Sequence, residues 1–228
     1  MKLKSKIFIF IVIISNFTFA QEINNEFKSI ITFSTVSPLM SYAPRWNFGY
    51  IRKIDERYWL GVELGYGNKK FSVNFAEEGG WITDDYNSFE IKPELYYNLR
   101  PNSKLKHLLS LEFQYVNHTD EFNNTWYFEL NDNNYYNYDF ADYKRIKYGI
   151  NVNYNLIFNI TNNLALMQKV GLGYRNRDVR YSNIVNRVEN AFFEEEGFIL
   201  PDFNGFLRDN GNIGGFNFNL DLKLIYKL

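Results

Sequence analysis

The sequence predicts an all-β fold, an eight-stranded antiparallel up-and-down transmembrane β-barrel with short periplasmic turns and long extracellular loops. Three observations lead to this prediction. Apolar and polar residues alternate with the two-residue period of strands from Lys28 onward. The connections between the alternating segments are short and long in turn. One face of the strands carries more bulky apolar side chains than a small barrel can enclose.

The composition bounds the class of protein. The chain has 228 residues with 25 Lys and Arg, 26 Asp and Glu, 19% aromatic residues and no cysteine. This length suits one good-sized domain, and the aromatic content argues against disorder. The absence of cysteine excludes disulfides, zinc–thiolate sites and thiol nucleophiles. The near-neutral charge balance predicts no nucleic-acid partner.

Residues 1–20 have the features of a secretory signal peptide. Lys2, Lys4 and Lys6 form a basic start, residues 7–14 form a short apolar run, and Ala20 ends a small-residue cleavage signal. The apolar run is shorter than the roughly 20 residues that a spanning helix needs. We therefore predict cleavage before Gln21, with residues 21–228 forming a single barrel domain.

Eight strands are predicted, several of them longer than the five or six residues usual in soluble proteins. The first, roughly Ser29 to Val36, shows the weakest alternation, and the last, Gly215 to Leu228, shows the clearest. The apolar faces of the second to seventh strands are as follows: Trp46, Phe48 and Tyr50; Leu60, Val62, Leu64 and Tyr66; Phe89, Ile91, Leu95, Tyr97 and Leu99; Leu109, Leu111, Phe113 and Tyr115; Ile146, Tyr148, Ile150, Val152, Tyr154 and Leu156; Leu164, Leu166, Val170, Leu172 and Tyr174.

The connections predict which ends of the strands lie together. Residues 55–57, 100–104 and 159–162 are short links after the second, fourth and sixth strands. The links after the third, fifth and seventh strands are long and rich in polar residues, Gly and Asn, well beyond a usual hairpin loop. In an up-and-down meander all short turns fall at one end and all long loops at the other, as in outer-membrane barrels.

The alternative is a periplasmic β-sandwich or a soluble lipocalin-like barrel, and the choice depends on which face is inside. About five bulky apolar residues per strand give on the order of 40 large side chains, whereas an eight-stranded interior is only just filled by side chains. We therefore predict that they face lipid. Interfacial aromatic girdles are then expected at the strand ends, from Trp46, Tyr58, Trp59, Tyr97, Tyr115, Tyr174 and Tyr226.

With this strand count, this loop asymmetry and this terminal strand, residues 28–228 resemble the small outer-membrane β-barrels of the OmpA/OmpX type, in the form common in Bacteroidetes. The resemblance implies a Gram-negative outer-membrane location with both termini periplasmic. It implies contact with outer-membrane lipids including lipopolysaccharide, and with the barrel-assembly machinery during biogenesis. The terminal strand ends in Leu228, where the assembly signal usually ends in Phe. No peptidoglycan-binding domain is expected.

The inward positions carry acids and bases in similar numbers, and two interpretations follow. They could form an ion pathway or a catalytic carboxylate pair, or they could form a structural salt-bridge network, since buried charges persist only when paired. We favour the structural network, in a filled lumen without a wide pore and without a cofactor. Its predicted members are Glu63, Glu90, Lys92, Glu94, Glu112, Lys147, Lys169, Asp221 and Lys223, with Lys53 on the same face.

The two histidines test an enzymatic interpretation. His107 and His118 fall at opposite ends of the fifth strand, and Thr119 and Asp120 follow the second of them. The surroundings of His118 resemble the outer-rim histidine of lipid A deacylases and acyltransferases, in which a His activates a Ser nucleophile. The deacylase pattern is His-x-Ser, and position 120 is Asp. We therefore predict no catalytic residue, with His118 a solvated loop residue.

The loops are the remaining candidates for function. Asp132-x-Asn134 lacks the Gly and the distal Glu of a calcium loop, so no metal site is predicted. The aromatic residues of the last loop either dock a partner or glycan or fold back over the barrel mouth, and arginines there suit lipopolysaccharide phosphates. The candidate contacts are Trp81, Trp126, Phe192, Phe193, Arg177 and Arg180.

The function predicted from these observations is a non-enzymatic one, structural or in protein interaction, exercised through the extracellular loops. Two alternatives stay open at this point. The protein could be an accessory subunit of a larger outer-membrane secretion or assembly complex, and so contact another outer-membrane protein. It could also be a lipid A-modifying barrel enzyme that carries out acyl transfer or deacylation.

Overall fold

The computed structural model describes residues 27–73, 82–189 and 208–228. These residues are almost entirely β-structure. The elements in chain order are β1 (Ser29–Ser34), α1 (Val36–Met40), β2 (Trp46–Lys53), β3 (Tyr58–Asn68), a 3-10 turn (Lys69–Phe71), β4 (Asn87–Asn98), β5 (Lys106–Glu129), β6 (Asn134–Asn159), β7 (Leu164–Val185), β8 (Val188–Glu189) and β9 (Asp209–Lys227).

Eight of the strands form a closed ring. Strands β1 to β7 pair in sequence order, each antiparallel to the next, and β9 pairs antiparallel with β7. Antiparallel pairing of β9 with β1, in which Ile31 lies opposite Tyr226, closes the ring. Strand β8 pairs with β6 outside the ring. The sheet is mixed, because Phe128 and Glu129 of β5 pair in parallel with Asp209 and Asn210 of β9.

The direction of the side chains follows the predicted alternation. On β3, Leu60, Val62, Leu64 and Tyr66 are exposed on the outer face, while Glu63 is buried inside the ring. On β9 the outer residues run from Phe216, which is 91% exposed, to Tyr226. The ring is therefore apolar outside and charged inside, the reverse of a soluble protein, in which large apolar patches are rarely exposed.

The short connections lie where the sequence predicts them, at residues 54–57, 99–105 and 160–163. We call this end of the ring the short-turn end. The prediction of a long loop after the fifth strand is wrong, since β5 and β6 continue as a hairpin that turns at residues 130–133. Strand β7 likewise extends to Val185, through the region expected to be the start of the last loop.

The continuations of β5, β6 and β7 form a raised structure above the ring, which we call the extension (residues 116–129, 134–147 and 175–185). Its core contains Tyr127 and Tyr138, with Tyr181 stacked on Tyr127 at a ring-centroid distance of 4.7 Å. The start of β9 joins it, because the backbone N–H of Leu130 donates to the carbonyl of Asn210. The extension is thus a packed unit with its own aromatic core.

The short-turn end of the lumen is closed by apolar side chains. The cluster there consists of Phe27, Ile30, Ile51, Trp59, Tyr96, Leu108, Ile157, Ala165, Met167 and Ile225. Two predictions need correction here. The lumen is not polar throughout, and Trp59 is not an outer girdle residue, since it is buried inside the ring with Phe27 packed edge-on against it. Within the described residues, no helix has the length and apolar character needed to cross a bilayer.

Candidate functional site

The middle of the lumen holds ion pairs, which we call the charge network. Lys169, on β7, is almost fully buried, and its Nζ lies 2.5 Å from Oε2 of Glu94 and 2.7 Å from Oε2 of Glu112. Glu94 and Glu112 are Cα partners on β4 and β5, so their carboxylates would repel each other without a cation between them. Lys169 provides that cation.

A second group of charges centres on Glu63. Lys92 and Lys223 both form ion pairs with the Glu63 carboxylate. Lys223 also lies 3.7 Å from Asp221, and Lys92 lies 3.6 Å from Glu90. The two groups together tie four of the ring strands, β3, β4, β5 and β7, to β9 through the interior.

Neutral polar residues complete the hydrogen bonds of the buried carboxylates. Asn151 and Asn219 donate to Oε1 of Glu112 at 2.8 and 3.1 Å. Asn47 and Gln114 donate to Glu90. A glycine on β7 leaves the space for this arrangement, because a Cβ on Gly171 would overlap the side-chain oxygen of Asn153. The network is thereby satisfied as buried charges require.

Two lysines expected in the network lie outside it. Lys53 is at the short-turn end, with its Nζ 5.9 Å from the centre of the Phe27 ring. No described carboxylate lies within ion-pairing distance of Lys147 Nζ. Arg45, which the alternating pattern does not identify, precedes β2 and pairs with Glu90 at 3.2 Å from its Nε. Its position in a connection, outside the alternating pattern, explains the omission.

At the extension end, the lumen opens into a cavity of about 130 Å³ that is lined by positive charge. We call its five cations, Arg45, Arg145, Lys147, Arg175 and Arg177, the cationic mouth. Ser41, Tyr42, Ala43 and Val116 complete the lining. Arg45 pairs with Glu90 and Arg177 pairs with Asp209 at 3.0 Å. Arg145 is 8% exposed, and its Nε has no hydrogen-bond partner among the described residues.

Above the cationic mouth, His118 lies inside the extension, which corrects its prediction as a solvated loop residue. The imidazole is 4% exposed and packs edge-on against Tyr86 and Tyr143. Burial lowers the pKa of His118 to about 4, although Asp120, whose Oδ2 is 3.8 Å from Nε2, acts to raise it. Neither ring nitrogen has a hydrogen-bond partner among the described residues. The imidazole is therefore held neutral by its surroundings.

The Asp120 carboxylate next to His118 is held by Thr83. Its carboxylate accepts hydrogen bonds from the backbone N–H and the hydroxyl of Thr83, the latter at 2.5 Å. Ser88 is the Cα partner of His118 across β4 and β5. Thr83 is therefore the hydrogen-bonding partner of Asp120, and the His118 imidazole lies beyond hydrogen-bond distance of the Asp120 carboxylate.

The six residues predicted to make contacts from the loops do not all lie in exposed loops. Arg177 lies on β7, is 4% exposed and faces the interior, so it is not a surface contact. Arg180 faces out and pairs with Asp178 at 2.7 Å. Trp126 lies on the extension, edge-on to Tyr135 and under the guanidinium of Arg208. Trp81, Phe192 and Phe193 lie outside the described residues.

The interior carboxylates do not form a metal centre. Among residues 27–73, 82–189 and 208–228, no three His, Cys, Asp or Glu side chains come together in a way that could hold a metal ion. The carboxylates of the interior are instead engaged by lysines, Arg45 and amide groups.

No family model and no curated protein matches the chain. Among solved structures, the chain is similar to a major outer membrane protein from Thermus thermophilus, with 10% sequence identity over 90% of this chain and 100% of that chain, and with a TM-score of 0.44. A likeness this remote does not establish a shared function, and the resemblance to OmpA/OmpX-type barrels stays a prediction.

Proposed function

We propose that this chain is an integral outer-membrane β-barrel that acts without catalysis, as a structural and interaction protein whose extracellular part is the extension. One observation carries the proposal, the reversed polarity of the ring. Leu172 is 67% exposed on the outer face of β7, while Lys169, three residues before it, is buried with two carboxylates. In a lipid bilayer the exposed apolar face contacts hydrocarbon and not water, so its exposure carries no cost. Closure of the ring gives the backbone N–H and C=O groups of the ring hydrogen-bond partners, which hydrocarbon cannot supply.

The lumen supports a structural role in preference to transport. The apolar cluster closes the short-turn end, and the charge network fills the middle with mutually satisfied groups. An eight-stranded interior has room for side chains but not for an aqueous channel. We expect no steady conductance of porin size in planar bilayers.

Membrane fractionation tests the location. The protein should sediment with outer membranes, resist alkaline carbonate and enter solution only with detergent. An unboiled sample should migrate faster in gels than a boiled one, since the closed ring stays compact. Recovery in the soluble periplasmic fraction without detergent would contradict the proposal and favour a lipocalin-like barrel.

Cysteine labelling tests the orientation, because the natural chain contains no cysteine. Asn131→Cys places a thiol at the tip of the extension, and Asn102→Cys places one in a turn at the short-turn end. A membrane-impermeant maleimide should label Asn131→Cys on intact cells, and Asn102→Cys only after permeabilisation. The reverse pattern would put the extension in the periplasm.

The extension offers the surface for interactions. The guanidinium of Arg187 lies 3.6 Å from the centre of the Tyr136 ring, and Trp126 flanks the same hairpin. Aromatic and Arg side chains of this kind are enriched at binding interfaces. Purification from native outer membranes in mild detergent separates this role from that of an accessory subunit, which would bring a second membrane protein in stoichiometric amount.

The absence of catalysis is part of the proposal. A lipid A-modifying enzyme needs its base at the lipid-facing surface, whereas His118 points into the interior and makes no hydrogen bond to a described residue. Mass spectra of lipid A from cells with and without this protein should be identical. A loss or gain of one acyl chain on expression would overturn this part of the proposal.

A further inference from the structure

The cationic mouth is unusual because cations outnumber carboxylates around it in the described structure. Of its five cations, Arg45 pairs with Glu90 and Arg177 pairs with Asp209. Arg145, Lys147 and Arg175 line the same cavity. The charge network immediately below is compact and has its own cations, so its carboxylates are already engaged. An excess of positive charge in a partly enclosed space is costly unless an anion neutralises it.

The arrangement of the strands makes this excess a built feature. Lys147 and Arg177 are Cα partners on β6 and β7, as are Gly149 and Arg175. Arg145 lies two residues from Lys147 on the same inward face of β6. Directly opposed like charges destabilise a pair of strands. Inward cations gathered on neighbouring strands are therefore a cost to folding that points to a binding role.

The cavity itself points to a ligand. Its volume of about 130 Å³ is several times the roughly 10–15 Å³ that one ordered water needs. Arg145 is more than nine-tenths buried, it lines this space, and its Nε donates to no described acceptor. A buried guanidinium N–H without an acceptor costs free energy, so an acceptor entering the cavity would be bound favourably.

We propose that the cationic mouth is a binding site for a phosphate-type oxyanion, held by the guanidinium groups of Arg145, Arg175 and Arg177 and by the ammonium group of Lys147. Guanidinium groups match the oxygens of phosphate in a bidentate manner, and lysine adds a point charge. The phosphate can belong to the outer-leaflet lipopolysaccharide or to a soluble phosphate compound. This inference goes beyond the proposed function, and it holds or fails on the purified protein independently of membrane location.

Binding of inorganic phosphate to the full chain, refolded in a nonionic detergent at low salt, is the primary test. Calorimetry should show saturable binding at millimolar phosphate or below. Lys147→Met and Arg145→Met should each weaken it at least tenfold, since each removes a charge that faces the cavity. Arg180→Met is the matched control on β7, because Arg180 faces out, and it should bind as the natural protein does.

A second arm distinguishes the sources of the phosphate. Diphosphoryl lipid A in the same detergent is titrated alone and in competition with inorganic phosphate. Competition assigns the site to lipid phosphates, and binding of inorganic phosphate without competition assigns it to a soluble phosphate compound. Either result supports the site.

Two results would overturn the inference. One is the absence of saturable phosphate binding by the natural protein. The other is equal binding by Lys147→Met, Arg145→Met and Arg180→Met, which would indicate general attraction to positive charge. Heat-dependent gel migration checks that each variant is folded, and the measurement on the natural protein remains decisive if a variant is not.

Discussion

Lys147 on β6 and Arg177 on β7 lie directly opposite each other across the ladder, and both side chains line the same cavity. Two like charges in this position destabilise a strand pair by a few tenths to about 1 kcal/mol. Asp209 offsets part of this repulsion through its ion pair with Arg177, and an anion in the cavity would offset more of it. This conflict between stability and charge is what marks the extension end of the lumen as a place of function.

The first prediction concerns that pair. Lys147→Met keeps the length of the side chain and removes its charge, so it should stabilise the phosphate-free protein by roughly 0.5 kcal/mol. Urea unfolding in detergent measures the change. Addition of phosphate should stabilise the natural protein more than the variant, because only a ligand that binds the folded state adds to its stability. A variant that is markedly less stable in phosphate-free buffer would show that Lys147 has a structural partner.

The second prediction concerns the charge network. Lys169→Met should destabilise the fold by about 3–5 kcal/mol, because it leaves two buried carboxylates without their cation. Adding Glu94→Gln and Glu112→Gln to the same variant should restore much of this loss. Arg180→Ala is the control at an exposed pair and should cost about 1 kcal/mol or less. If the triple variant is as unstable as the single one, packing of the lysine stem outweighs its charge.

Much of the ring could be predicted from the sequence, because the period of two is enforced by two different environments on the two faces. Leu60, Val62 and Leu64 face out and Glu63 faces in. The polarity of each residue therefore indicates which face of the strand it lies on. The positions of the short turns could be predicted for the same reason, because the alternation of apolar and polar residues stops where each turn begins.

The extension could not be predicted, because the same regularity is absent there. Asn124, within β5, has a positive φ angle of 49°, and the pairing of β6 with β7 shifts register between Phe140 and Asp142. Each irregularity changes which residues face in, so no constant alternation runs through the hairpin. The adjacent aromatic residues at 126–128 and 135–136 then resemble a polar aromatic loop rather than two long strands.

The cationic mouth is only partly visible in the sequence. Lys147 lies on the inward face of its strand, as predicted. Its lack of an opposing carboxylate among the described strands depends on the register of neighbouring strands, which the sequence does not show. Arg45 and Arg177 fall in segments predicted to be connections, so their inward direction could not be inferred. Knowledge of the register was needed to bring the five cations together.

The third prediction concerns pH. Burial lowers the pKa of His118 to about 4, from an ordinary value near 6.5, so the unfolded chain binds a proton more readily than the folded one. Stability is therefore complete above about pH 6.5 and falls as the pH falls towards 4, by on the order of 3 kcal/mol. Urea unfolding at several pH values should show this slope in the natural protein.

Two variants make the pH measurement specific. His118→Gln should flatten the dependence between about pH 6.5 and 4.5, because the variant has no imidazole to take up a proton in that range. His107→Gln is the matched control, since His107 lies at the short-turn end and contacts Tyr154 on the outer face. A slope that persists unchanged in His118→Gln would show that His118 is not the source of the acid sensitivity.

The fourth prediction separates a membrane barrel from a soluble one. Leu172 is 67% exposed on the outer face of β7, near the middle of the apolar band, and Ser182 is exposed on the same strand within the extension. In a bilayer, Leu172→Arg should cost about 2–4 kcal/mol, because the charge enters hydrocarbon, whereas Ser182→Arg should cost little. Folding into lipid vesicles measures both. In a soluble barrel the two substitutions would be equally mild, since both positions would face water, and that result would remove the basis for placing this protein in a membrane.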